Sequence, residues 1–204
     1  METRISIFGD SIAWGASDYE FGGWVARLQN YFETDKNNDI DVYNLGVSGD
    51  TTNDLLMRFK TECLARNRHP QIIMFAIGTN DSQYINSKNN PRTPIDKFEN
   101  NLEKLINQAK EFSDKIIFVG LTKVDESKLM PVPWSEEKFY DNENISKYNS
   151  VIEKVSKEHN LPFINLLDLL NMNDLDDGLH PNSKGHEKMF LKIKELLLSN
   201  KIMQ

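Results

Sequence analysis

Short apolar runs alternate with longer amphipathic ones along the chain. The runs at 4–8 (RISIF), 41–45 (DVYNL), 72–77 (IIMFAI), 115–120 (KIIFVG) and 161–165 (LPFIN) are rich in β-branched and aromatic residues. Gly, Pro, Asn or Asp bounds them, so each predicts a strand. Several are apolar almost without interruption, as parallel strands covered on both faces must be. Between them, apolar residues recur at helical spacing. Trp24, Leu28, Tyr31 and Phe32 share a face after Gly22 and Gly23, and Leu55, Leu56 and Phe59 follow Thr51 and Thr52, which suit a helix cap. Phe98, Leu102, Leu105, Ile106 and Ala109 form a clear stripe, with Pro94 fitting a helix start. Ile145, Tyr148, Ile152 and Val155 make a fourth stripe, and Met189, Phe190, Ile193, Leu196 and Leu197 a fifth. Five strands alternating with five helices predict an α/β fold with a parallel sheet between helical layers. The stretch 122–144 follows neither period. It carries Pro131, Pro133 and Trp134 among charges and is long for a connection, so it reads either as a lid or binding wall or as a surface excursion with one aromatic anchor.

At 204 residues the chain is long enough for one sizeable core, and a single domain over 1–204 is expected. A net charge of −7, with basic residues scattered singly, disfavours nucleic acid and anionic membrane surfaces as partners. The densest apolar stretch, 72–77, is far too short to span a bilayer. The opening METRISIF has no basic segment followed by a long apolar one, so a cytoplasmic location is expected. Cys63 stands alone and is expected to pack inside a helix as a small hydrophobe.

Candidate chemistry sits in the turns that leave the strands. In an open parallel sheet, ligands bind beyond the carboxyl ends of the strands. There the chain reads GDSIAWG (9–15), GVSGDTT (46–52) and GTNDS (78–82), and the last strand leads to Asp177 and His180 within LLDLLNMNDLDDGLHPN (166–182). One glycine-led polar turn is weak evidence, but three at one sheet edge together with an Asp/His pair form a constellation.

These four blocks, in this order and spanning residues 9–180, resemble the SGNH or GDSL hydrolases, with Ile12 where the family name has Leu. The resemblance implies a flavodoxin-like three-layer α/β/α fold and serine hydrolase chemistry that needs no cofactor. Ser11 is then the nucleophile and His180 the base that activates it, since a serine hydroxyl is weak at neutral pH. Asp177 holds the imidazole in its productive tautomer, and its three-residue spacing places the pair on one helical turn. Asp176 is a rival that lacks this spacing. His69 and His159 precede strands, at the opposite sheet edge, and His186 falls in the last helix as a surface or capping residue. The resemblance further implies an oxyanion hole made by the Ser11 N–H, the Gly49 N–H and the Asn80 side-chain amide. Asp10, Trp14 and Trp134 are candidates for substrate contact, with Phe21 and Phe139 as further aromatics for the pocket.

Asp10, Asp50 and Asp81 also gather at this edge, yet one acid per turn suits loop bracing better than a metal site. Neither G-x-G-x-x-G nor G-x-x-x-x-G-K-[ST] occurs, which counts against nucleotide binding. The expected activity is hydrolysis of carboxylic esters, with a short-acyl preference because no long apolar stretch builds an acyl tunnel. Thioesters or lysophospholipids at the same site remain alternatives, as does a non-catalytic ligand-binding module of the same fold.

Overall fold

In the computed structural model, which describes residues 3–34, 39–67 and 71–199, seven strands and six helices follow one another. The strands are β1 (Thr3–Gly9), β2 (Ile40–Gly46), β3 (Gln71–Ala76), β4 (Tyr84–Ile85), β5 (Lys115–Val119), β6 (Lys138–Phe139) and β7 (Phe163–Ile164). The helices are α1 (Ser11–Trp14), α2 (Gly23–Thr34), α3 (Thr52–Arg66), α4 (Ile95–Ala109), α5 (Asn142–Glu158) and α6 (Ser183–Ser199). Five strands form one parallel sheet in the order β2-β1-β3-β5-β7, the flavodoxin-like arrangement the four blocks imply.

The two faces of the sheet carry different cores because side chains alternate along a strand. Phe8, Phe75 and Phe118 face one helical layer, where Phe59 of α3, Phe98 and Leu102 of α4 and Tyr148 of α5 close over them. Ile5, Ile7, Met74 and Ile117 face the other, under Trp24 and Leu28 of α2 and Met189 and Ile193 of α6. Cys63 is buried in the first of these layers. Burial pushes its thiol up to about 12, as suits an inert packing residue.

Three departures from the periodicity bear on the site. The fifth strand shrinks to two residues. A helix too short to show a period, α1, follows β1 directly. The stretch 122–144 contributes β6, which pairs antiparallel with β4 in a separate two-stranded sheet, together with a 3₁₀ turn at Glu126–Lys128. The second departure has a steric cause. A Cβ on Gly46, at the end of β2, would lie 2.3 Å from the Trp14 backbone nitrogen, so only glycine lets α1 lie against the sheet edge. No described helix is long and apolar enough to cross a membrane.

Candidate active site

The order of the sheet reverses between β1 and β3, and the turns leaving β1, β2 and β3 open there. Leaving β1, Asp10 caps α1, its Oδ1 accepting from the Ile12 N–H at 2.9 Å, which sets Ser11 at the first helical position. After β2, the turn passes Gly49 at φ +87°, a left-handed conformation natural to glycine, and enters α3. The Asp54 carboxylate accepts from both the N–H and the hydroxyl of Thr51 at that helix start. The turn leaving β3 carries Asn80.

Folding joins the two ends of the chain. Ser11 Oγ lies 2.9 Å from His180 Nε2, and His180 Nδ1 lies 2.7 Å from Asp177 Oδ2. Asp177 Oδ1 meanwhile accepts from the backbone N–H of Leu179 (2.9 Å) and of His180 (2.8 Å). Burial opposes ionisation of Asp177, but the imidazole and these two N–H groups outweigh it and hold the carboxyl down at about 2. An ionised carboxylate only accepts, so Nδ1 carries the proton, and in the neutral ring Nε2 is left to accept from the Ser11 O–H. Asp177 and His180 do not share a helical turn, as their spacing suggested. They face each other across a loop closed by the Leu175–Pro181 bridge and by the Asp176 N–H donating to the His180 carbonyl at 2.9 Å. The rival Asp176 is exposed.

Asn80 is buried and held at both ends of its amide. Its Nδ2 donates to the Asp50 carbonyl (3.0 Å), and its Oδ1 accepts from the Tyr140 hydroxyl (2.9 Å). This fixes which end is nitrogen and leaves a second N–H on Nδ2. Burial pushes the Tyr140 phenol up, so it stays a neutral donor. Tyr140, from the 122–144 stretch, has no sequence signal that separates it from the other aromatics. Ser11, Gly49, Asn80 and His180 line one open cavity of about 360 Å³ together with Tyr140 and Trp134. The Trp134 ring, half exposed, stands 6.2 Å from the His180 ring. Asp10 and Trp14 do not line it: Asp10 is buried beneath α1 and Trp14 is 58% exposed. Phe21, also largely exposed, and Phe139 lie outside its lining as well.

The three acids of this edge bond within the fold. Asp50 accepts from Arg58 Nε (2.7 Å), whose Nη2 also donates to the Gly9 carbonyl (3.2 Å). Asp81 accepts from the N–H and hydroxyl of Thr52. Asp10 keeps its Ile12 contact, while its Oδ2 is buried without a partner. Among the described residues no group of three His, Cys, Asp or Glu is placed to hold a metal ion. Of the surface or capping expectation for His186, only the surface half is corrected: it is fully buried, accepting from the Trp24 N–H in the first turn of α2 at Nδ1 (3.3 Å) and lying 2.9 Å from the Ala16 carbonyl at Nε2. Burial lowers its pKa, so it stays neutral as a tie between α6 and the segment after α1. His159 ends α5 beside Glu103, at 2.8 Å and away from the cavity. His69 lies outside the described residues.

Asp10 yields a pH prediction. Burial pushes its carboxyl up to about 7, against a value of about 3.9 in an unfolded chain. Between these values the folded protein holds a proton that the unfolded chain has lost, so this group lowers stability as pH rises from about 4 to about 7. Asp10→Asn keeps an acceptor for Ile12 and copies the protonated form. It is expected to remove that slope and to exceed the parent by about 2–4 kcal/mol at pH 8. Urea unfolding of both proteins at pH 5 and pH 8 measures this, and parallel profiles would refute it.

Comparison with known proteins places this geometry in context. A sequence profile described as the GDSL-like Lipase/Acylhydrolase family matches residues 7–188. The isoamyl acetate-hydrolyzing esterase of Saccharomyces cerevisiae is 25% identical over 90% of this chain and 81% of its own length. A lipolytic G-D-S-L family protein from Veillonella parvula superposes with a TM-score of 0.75 at 20% identity, covering 97% of this chain and 99% of that one. An acetylxylan esterase from Geobacillus stearothermophilus does so with 0.71 at 21% identity, over 94% and 92%. With nearly its whole length matched and its strand order that of these folds, the chain belongs to the GDSL-like lipase/acylhydrolase family of esterases.

Proposed function

We propose that residues 1–204 act as one domain that hydrolyses short-acyl carboxylic esters through a Ser11–His180–Asp177 triad and an acyl-enzyme. The observation that carries this reading is the unbroken relay of 2.7 Å and 2.9 Å from Asp177 through His180 to Ser11. Ser11 Oγ attacks the ester carbonyl as its proton passes to His180 Nε2, and the ionised Asp177 steadies the imidazolium so formed. The carbonyl oxygen, now an anion, is met by the Ser11 N–H, the Gly49 N–H and the remaining Asn80 N–H. These neutral donors are aimed before the reaction begins and need no reorganisation. His180 then returns the proton to the departing alcohol oxygen. A water gives its proton to Nε2 and adds to the acyl carbon. As the acyl–Oγ bond breaks and the acid leaves, Nε2 passes that proton to Oγ, which restores Ser11 and the neutral imidazole.

A small acyl group agrees with the cavity, whose size of about 360 Å³ lies near the low end for ligand sites. It also agrees with two similar proteins named for acetyl esters, isoamyl acetate and acetylxylan. In a series of 4-nitrophenyl esters from acetate to decanoate, kcat/KM is expected to peak at acetate or butyrate and to fall about tenfold or more by octanoate. A maximum at decanoate would refute the short-acyl reading, and no turnover of any ester would refute the hydrolase.

A further inference from the structure

The catalytic cavity differs in charge from the chain around it. The sequence holds 31 acidic and 24 basic residues, yet Arg92 and Lys138 line the cavity and no described aspartate or glutamate does. Both cations ride on the same small sheet. Lys138 belongs to β6 and pairs with Ile85 of β4, whereas Arg92 follows Pro91, which bridges to Tyr84 of β4. The Arg92 N–H is tied to the Gln83 carbonyl at 2.7 Å, which anchors its backbone to the start of β4. Among the described residues neither side chain has a carboxylate within 4.0 Å.

The acids nearby have other partners: Asp50 has Arg58, Asp54 has Thr51, Asp81 has Thr52 and Asp177 has His180. Arg92 reaches Asp54 and Asp81 only through space. Gln83, on the same wall and 2% exposed, keeps a buried Oε1 without a hydrogen-bond partner, so the wall is polar as well as cationic. In a chain of net charge −7, an approaching anion is repelled unless the site itself is locally positive. A guanidinium and an ammonium free of internal partners supply that local field, and the guanidinium fork matches a carboxylate or phosphate.

We propose that the ester bound here carries a negatively charged group, a carboxylate or a phosphate, on its alcohol portion, and that Arg92 and Lys138 hold it. This rests on the hydrolase reading above. The alcohol side follows from that reading, because an acyl group of acetyl size has no room for a second charge.

Two matched pairs of acetyl esters test it: 4-acetoxybenzoate against its methyl ester, and 4-acetoxyphenyl phosphate against its dimethyl ester. The readout is the ratio of kcat/KM for the anionic ester over the neutral one. Dividing the parent's ratio by that of Arg92→Ala or Lys138→Ala cancels the chemical reactivity of the leaving groups. The quotient is expected at about 5–30 in at least one pair and to shrink as salt rises from 0.05 to 0.5 M. Arg92→Lys, which keeps the charge, is expected to recover part of the preference. The two pairs also separate carboxylate from phosphate. Turnover of all four esters with quotients near one in both pairs overturns the anionic substrate and leaves the hydrolase standing. No turnover of any ester by the parent overturns both.

Discussion

Ser11→Ala is expected to lower kcat for 4-nitrophenyl acetate by about 10⁴-fold or more and to abolish labelling by a fluorophosphonate, which in the parent is expected to modify this serine alone. The magnitude follows from what the hydroxyl supplies. Without Oγ no acyl-enzyme forms, and only the oxyanion donors and substrate binding remain to assist water. The effect is separable from folding. Ser11 Oγ bonds only to His180 among the described residues, and the cap of α1 comes from Asp10. The variant is therefore expected to unfold within a few degrees of the parent. Turnover surviving in a folded Ser11→Ala protein would remove Ser11 as the nucleophile.

Asp177→Asn by itself is expected to cost a factor of the same order, about 10⁴ in kcat near neutral pH. The cost follows from which atom faces which. Asp177 Oδ1 accepts two backbone N–H bonds, so the oxygen of an asparagine is drawn to that place. Its amide nitrogen is then left facing His180 Nδ1, where Oδ2 stands now. A donor there requires Nδ1 to accept, which puts the ring proton on Nε2 and ends its ability to take one from Ser11. The same change removes the carboxyl that the fold holds down at about 2. The parent is therefore expected to lose stability as pH falls from about 4 toward 2, while the asparagine variant lacks that slope. A kcat within tenfold of the parent would show that the imidazole does not depend on Asp177 for its tautomer.

Much of the architecture was readable from local pattern. The five main strands and five long helices lie close to where short apolar runs and helical spacing put them, because each run or stripe answers to the layer that covers it. What escaped was short or irregular. The helix α1 has four residues, too few to show a period, and β4 and β6 are two-residue strands that exist only by pairing with each other. Tyr140, Arg58 and the cations of β6 and the Pro91–Arg92 turn were missed for the same reason, since nothing adjacent in the chain marks them. The burial of His186 escaped because its partners, Trp24 and Ala16, lie more than 160 positions away.

By itself the sequence determined the chemistry on offer: a serine, an asparagine and a glycine in turns that leave successive strands, and an aspartate three residues before a histidine. It also determined the order of layers, since hydrophobic period is a property of neighbours along the chain. Tertiary structure alone decided that Ser11 and His180, 169 residues apart, stand within bonding distance. It also decided that Tyr140 grips the Asn80 amide and that one arginine and one lysine, rather than any described acid, face the cavity. The physical reason is that such distances are set by packing of the whole sheet and its helices, where each position depends on every layer between.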